Sequence, residues 1–360
     1  MGSELRDQPG DGQPMTATDW LILLLRVLVP LFALLAAAGL MSWVERRGAG
    51  LIQDRPGPNR VGPAGLLQPL ADAVKFFFKE DIVPANSDKV LYVLAPAIAL
   101  FSALTTFAVI PYGASLPVSG REVPLIGADV SIGVLYVFAL TSLSVYGIVL
   151  AGWSSNNKFS LMGALRSSAQ IISYELAMTT AAAGVILSAG SFRLTDVVAL
   201  QSGTFLGFLP RWNVFPQFPG FVVFFVSTFA ETNRVPFDLP EAEAELVAGY
   251  HTEYSSSMKF AMFFMAEYVN MAVASALTVT LYLGGWGLPG FHPHGILGAI
   301  LSIFIFAAKT AFLLWVFVWV RWTLPRFRYD QLMRIGWKGL LPLALLNLLW
   351  VAGLVTLRWI

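Results

Sequence analysis

The chain has 360 residues, 56% of them hydrophobic and only 12% charged, with 27 Phe, 11 Trp, no Cys and a formal net charge of +1. Its mean hydropathy of +0.68 excludes an ordinary soluble domain, and several apolar runs are long enough to cross a hydrocarbon layer about 30 Å thick. A sequence without cysteine excludes disulfides, thiolate-held iron–sulfur clusters and cysteine-ligated zinc, so any redox centre it serves sits on a partner or is a dissociable molecule. Runs this uniformly apolar lack the alternation of barrel strands, and lipid offers backbone groups no partner. The expected fold is therefore an all-α integral membrane protein.

Residues 1–18 are polar and rich in Gly, Pro and Asp, which reads as a disordered tail; residues 19–360 read as a single membrane domain. A first span covers 20–44, with Arg26 and Pro30 as exceptions inside it, and ends in charge at Glu45, Arg46 and Arg47. The Gly- and Pro-rich string QDRPGPNRVGPAG that follows reads as an ordered, irregular turn. From 63 to 79 the pattern becomes amphipathic: Leu66, Leu67, Leu70, Val74, Phe77 and Phe78 share one side, and Gln68, Asp72, Lys75 and Lys79 the other. Too short to span, this helix belongs in the membrane interface or against other helices, where it would wall off an opening. Asp72 and Lys75, three apart, can form a weak surface pair.

Further spans fall at 90–110, 132–153, 165–187, 218–232, 260–283, 296–319 and 340–357, about eight transmembrane helices in all. The fifth offers only about 13 apolar residues before Glu231, short of the roughly 17 to 25 a span needs, so it must tilt, kink or gain an irregular flank. Of the 23 Lys and Arg, 15 lie in connections on one side and 5 on the other. The positive-inside rule then places the first side in the cytoplasm, with the chain multi-pass and both termini on the outer side.

The connection 231–254, AETNRVPFDLPEAEAELVAGYHTEY with its leading alanine, crowds Glu231, Asp238, Glu241, Glu243, Glu245 and Glu253 around one fixed base, Arg234. Read alone, such a run is more often a solvated acidic loop. Folded back against membrane helices, the same carboxylates would be close together and partly desolvated, and both effects favour uptake of protons near neutral pH. Glu175, Glu267 and Lys309 lie inside predicted spans, where a charge costs about 2.5 to 3.5 kcal/mol, so they are expected to face the bundle interior or a hydrated cavity. Tyr174 and Asn270 are placed to hydrogen-bond the two carboxylates, and a purely structural buried network is the competing account. The string GGWGLPG formally fits G-x-G-x-x-G but joins two apolar helices without a strand, so it is no dinucleotide site. With no motif for hydride chemistry or hydrolysis, the chain's chemistry reduces to moving protons, moving a lipophilic molecule, or coupling partners.

Five strings, WVERRGAGLIQDRPGPNRVGPAGLLQPLADAVKFFFKED, GWSSNNKFSLMGALRSSAQIISYE, AETNRVPFDLPEAEAELVAGYHTEY, FFMAEYVNM and RWTLPRFRYDQLMRIGWK, resemble the H-type (mitochondrial subunit 1) membrane subunits of the proton-pumping NADH:quinone oxidoreductase, respiratory complex I. The resemblance runs from about Trp20 onward and leaves out the tail and the connection from Tyr112 to Val130. It implies a membrane heel that joins the redox arm to antiporter-like pumping subunits and forms the entrance of a chamber for ubiquinone or menaquinone as substrate. Electrons would reach the quinone from an iron–sulfur cluster on a neighbour. Partners implied are the hydrophilic quinone-site subunits, the small and antiporter-like membrane subunits and membrane lipid, with no nucleic acid. No metal, flavin or NAD would be bound by this chain, and no residue would be catalytic in isolation. The resemblance assigns quinone contacts to Glu45, Arg46, Arg55, Asp72, Lys75 and Phe237, and a proton route to Glu175, Glu231, Asp238, Glu241, Glu243, Glu245 and Glu267. Two other classes stay open: a stand-alone cation/proton antiporter, which embedded Glu and Lys would suit, and the related anchor subunit of a membrane-bound hydrogenase.

Overall fold

The computed structural model describes residues 17–118, 121–205, 209–240, 246–254, 258–291, 293 and 295–357. Most of the polar tail expected over 1–18 lies outside the described residues; helix α1, Ala17–Ile52, begins within its last residues. α1 also runs past the charged string Glu45–Arg47, where a span end at 44 was expected. The charges do not end the helix because they are neutralised beside it: Glu45 meets Arg234 and Arg321, and Arg46 meets Asp72. Deep in the same helix, Arg26 donates twice to the Ile126 carbonyl, at 3.1 and 2.8 Å, which accounts for a cation among lipid-facing leucines.

The amphipathic segment is shorter than 63–79. Pro63–Gly65 forms a separate 3-10 turn because Ala64 adopts φ +52°, and α2 follows at Gln68–Phe78. Next comes α3, Lys89–Thr106, whose first amides are capped by the Asp88 carboxylate at 3.1 and 3.2 Å. A small hairpin pairs β1, Leu116–Val118, with β2, Arg121–Val123. α4 is Gly133–Ser154 and α5 is Lys158–Ala189. α5 begins at Lys158 rather than 165 because Asn157 caps it, accepting from the Phe159 amide at 2.9 Å. The short α6, Leu194–Leu200, and the paired strands β3, Thr204–Phe205, and β4, Leu209–Pro210, precede α7, Phe218–Glu231. Then come α8, Met258–Tyr282, α9, Gly295–Thr323, and α10, Tyr329–Thr356. Among the described residues seven helices are long and apolar enough to cross a membrane, and α7 is a shorter apolar eighth of 14 residues.

α5 is the central post, packed by α4, α7 and α10. Where α3 meets α4, a Cβ on Gly147 would stand 3.0 Å from the Ala95 carbonyl and the Ala99 methyl, the close backbone approach that lets helices associate in lipid, where burial of apolar surface gives little drive. α10 contains a π-helical turn at Ile335–Leu340. Around it, the Tyr174 hydroxyl donates to the Leu332 carbonyl at 2.8 Å and the Trp337 indole to Ser173 Oγ at 3.2 Å.

Candidate functional site

α7 is too short to carry the chain out of the protein, so the connection that follows Glu231 stays inside it. Arg234, Phe237, Asp238 and Leu239 are all buried. Gln170 of α5 fixes the path: its amide donates to the carbonyls of Ala230 at 2.8 Å and Phe237 at 2.7 Å. The first half of the acidic connection is therefore held by α5 rather than solvated. Glu241, Glu243 and Glu245 lie outside the described residues.

Arg234 is the centre of the arrangement. Its Nη1 lies 3.2 and 3.1 Å from the two carboxylate oxygens of Glu45 on α1, and its Nε lies 2.8 Å from Glu267 Oε1 on α8. The Glu267 contact is off the N–H axis and is a contact of charges, whereas the Glu45 bonds are aligned. Arg321 of α9 closes on the other side of Glu45, and the guanidinium carbon of Arg234 stands 4.7 Å over the Tyr268 ring. Two carboxylates and two guanidinium groups thus balance in a site where Arg234 and Glu45 are buried and Glu267 and Arg321 partly so. Burial opposes the charge on Arg234, but Glu267 and then Glu45 outweigh it and hold its pKa above the ordinary value. Alongside, Asp238 pairs with Arg326 at 2.8 Å.

Inward from this cluster, a cavity of about 30 Å³ is lined by Ser144, Glu231, Asn233, Glu267 and Asn270, and a second of about 20 Å³ by Thr141, Met178, Phe224, Glu231 and Asn270. At about 10 to 15 Å³ per water, the first has room for two or three molecules and the second for one or two. Glu231 and Asn270 are shared by both walls. Beside Thr141, Ser142 donates to the Glu175 carboxylate. The carboxylates Glu267, Glu231 and Glu175 therefore follow one another through polar side chains and small cavities. Tyr174, expected to bond a carboxylate, instead donates to Leu332; Ser142 on α4 takes that place.

Between α1 and α2 lies a second, more open set. Arg46 Nη1 meets Asp72 Oδ2 at 2.7 Å, Lys75 and Gln68 reach Asp72 Oδ1 at 3.3 Å, and the Trp43 indole donates to the Ala64 carbonyl at 3.1 Å. Partial burial pushes the Asp72 carboxyl up, but hydrogen bonds and charge from Arg46 and then Lys75 outweigh it and leave the pKa below its usual value. Glu45 and Arg46, adjacent in sequence, thus serve different clusters on different faces of α1. Arg55 is exposed and bonds Gln53 at 2.7 Å. Phe237 packs between Tyr174 and Phe327, with ring centroids 5.2 and 5.6 Å away.

Arg321, Gln170, Tyr268 and Ser142 belong to these clusters although nothing in the sequence marked them for it. Arg321 carried one signal, that of a lone cation closing an apolar run, which speaks of topology alone. Among the described residues no group of three or more His, Asp or Glu side chains is arranged to hold a metal ion.

These features define a class: a polytopic membrane protein whose bundle holds a buried, charge-balanced cluster connected to a row of embedded carboxylates. The model of the family described as NADH dehydrogenase matches residues 25–352, and the chain belongs to that family. It is 49% identical over 352 residues to a Koribacter versatilis protein named as an H-type subunit (number 2) of NADH-quinone oxidoreductase, covering 94% of this chain and 98% of that protein. A Geobacter metallireducens protein named as an H-type subunit (number 1) of the same enzyme is 49% identical, covering 95% of this chain and 99% of its own. A Rhodothermus marinus protein named NADH-quinone oxidoreductase subunit 8 is 51% identical, covering 89% and 93%.

Proposed function

We propose that this chain is the membrane subunit of a proton-translocating NADH:quinone oxidoreductase that forms the quinone entrance and passes the consequence of quinone reduction into the membrane arm. The observation that carries the reading is Arg234, which touches Glu45, two turns before the end of the entrance helix, and Glu267 at the head of the embedded carboxylates. Arg46, Asp72 and Lys75, between α1 and α2, orient the polar head of ubiquinone or menaquinone while its tail lies against apolar surface; Arg55 and Phe237 complete the set. Asp238 and Arg326 line the approach to Glu45 and Glu267, and Glu241, Glu243 and Glu245 belong to the same proton route by the family resemblance.

The mechanism is electrostatic. A quinone that gains negative charge near the cluster draws on the guanidinium groups of Arg234 and Arg321, which weakens their hold on Glu45 and Glu267. A carboxylate so released takes a proton, and the proton moves by way of Asn270, Glu231 and Ser142 to Glu175 through cavity waters. Coupled carboxylates titrate as a set, so the proton belongs to the row rather than to one member. The chain supplies no electron carrier of its own; the redox centre, the hydrophilic quinone-site subunits and the antiporter-like subunits are its partners. The acidic connection faces the bacterial cytoplasm and both termini face outward, following the bias of Lys and Arg.

The test is the intact assembly purified from its native membrane in mild detergent. Expected are co-purifying iron–sulfur subunits and inhibitor-sensitive NADH:quinone reduction. A chain that purified without redox partners and catalysed cation/proton exchange in liposomes would overturn the reading.

A further inference from the structure

The outer end of α8, opposite the acidic connection, finishes inside the protein, so its last carbonyls cannot turn to water and need donors. Each has one. Gln201 donates to Thr280 at 2.9 Å, Asn213 to Leu281 at 2.8 Å and the Val214 amide to Tyr282 at 3.0 Å. The next carbonyl, Leu283, receives Lys309 Nζ of α9 at 2.7 Å, and the same ammonium reaches the carbonyls of Gly285 at 3.0 Å and Gly287 at 2.7 Å. Gly284 and Gly285 sit at φ +72° and +54°, a left-handed turn that aims these carbonyls back at the lysine. The face of Trp212 completes the socket at 4.4 Å. All three ammonium hydrogens are used, at the negative end of a helix dipole.

Two other contacts bear on the height of α9: the Ala114 amide donates to Ser302 Oγ at 2.9 Å, and Phe317 stacks on Phe229 of α7 with ring centroids 4.0 Å apart. Only 28% of the most apolar window of α9 is buried, and in lipid apolar contact does not specify an axial position. Twelve residues further along the same helix, about 18 Å away, Arg321 closes on Glu45. A slip of one helical turn would move it by about 5.4 Å, more than enough to empty the buried cluster of one of its two cations.

We propose that Lys309 is a positioning residue: seated in the carbonyl and indole socket at the end of α8, it sets the axial register of α9 and so holds Arg321 on Glu45. Its bearing on quinone turnover rests on the entrance reading above; its effect on register does not.

The two are separated by experiment on the assembled complex. The chain has no cysteine of its own, and a Cβ on Gly48 would stand 2.8 Å from Val318 Cγ1, so a Gly48→Cys/Val318→Cys pair reports the register of α9 against α1 by intrachain disulfide formation. Lys309→Met is expected to slow that cross-link severalfold. Lys309→Ala should be restored by propylammonium, which replaces the missing stem and ammonium, and not by tetramethylammonium, which has no N–H to donate. Trp212→Leu keeps the ammonium and should give an intermediate rate if Lys309→Met does not assemble. On quinone KM, Lys309→Met and Arg321→Gln should each raise the value severalfold, and the double variant should match Arg321→Gln alone. A cross-link indifferent to Lys309, or KM effects that multiply, would overturn the proposal. A slowed cross-link with an unchanged KM in Arg321→Gln would uphold the register role and remove the entrance reading.

Discussion

Replacing Arg234 by Met tests the buried cluster most directly. The guanidinium is 4% exposed, Glu45 7% and Glu267 18%, with contacts of 3.1 and 2.8 Å. At about 3 Å and an effective dielectric of about 20, each contact has a gross attraction of roughly 5 kcal/mol, most of it spent against desolvation. What the substitution exposes is the imbalance: two buried carboxylates would share Arg321 alone, and breaking such a pair costs about 3 to 5 kcal/mol. The expected result is an assembly that loses this chain or inactivates far faster in detergent at a fixed temperature. The second half of the experiment removes the orphaned charge as well. Arg234→Met with Glu267→Gln restores charge balance and should recover most of the lost lifetime, because a well-packed neutral replacement of a buried pair is often neutral or better. Inactivation half-life of the purified complex, measured for parent, single and double variants, decides it. If Arg234→Met lasts as long as the parent, or if the double variant is no better than the single, the cluster is not held by charge balance.

Glu267→Gln and Glu175→Gln keep a hydrogen-bonding side chain and remove the titratable proton. Glu175→Gln should preserve assembly, whereas Glu267→Gln leaves the buried cluster one carboxylate short and should also shorten the lifetime in detergent. Per assembled complex, proton-coupled quinone turnover should fall in both by roughly tenfold to a hundredfold, up to the lower end of what a placed proton-transfer group contributes, and parent-like reductase and pumping assays would remove them from the route. Arg46→Ala breaks an ion pair whose arginine is 52% exposed, worth about 0.2 to 1 kcal/mol, so quinone KM should rise, by up to about fivefold, and an unchanged KM would count against the entrance. His251 is buried among Tyr250, Phe260 and Phe264, and burial pushes its pKa down to about 4. Since the unfolded value is about 6.5, the unfolded chain alone takes the proton as pH falls through that window, so stability drops from about pH 6.5 to about pH 4 and by roughly 2 kcal/mol at pH 5. His251→Phe should flatten this acid limb in detergent half-life measured at pH 7 and pH 5; an unchanged limb would refute the assignment.

The spans were legible because each is a long apolar run, and even the odd one, α7, announced itself by its shortness. Helix ends were less so. The end placed at residue 44 failed since a charged string stops a helix only if its charges must reach water, and Glu45 finds its two arginines in segments 189 or more residues away in sequence. The embedded carboxylates Glu175 and Glu267 stood out against apolar neighbours. The groups that complete the site did not: Ser142 and Gln170 look like ordinary polar residues of a helix, and only the packing of α4, α5 and the acidic connection gives Ser142 a carboxylate and Gln170 two carbonyls to serve. The glycine string rejected as a nucleotide motif has another use, as the carbonyl socket for a lysine whose sequence context showed only that it was embedded.

The π turn at Ile335–Leu340 has the arithmetic of an insertion. An α-helix rotates by about 100° per residue, so one surplus residue turns all that follows through that angle while the axis runs on. α10 is in effect two helices sharing a line. The segment entering it answers to the acidic connection, through the Phe327 amide on the Pro236 carbonyl at 3.1 Å, and to α5, through the Tyr174 hydroxyl on the Leu332 carbonyl. The stretch beyond answers to the opposite face, where the Trp350 indole donates to Pro216 at 3.1 Å. A chain shortened by one residue within the turn would regain a plain α-helix yet could present only one of these halves correctly, so length here is as constrained as identity.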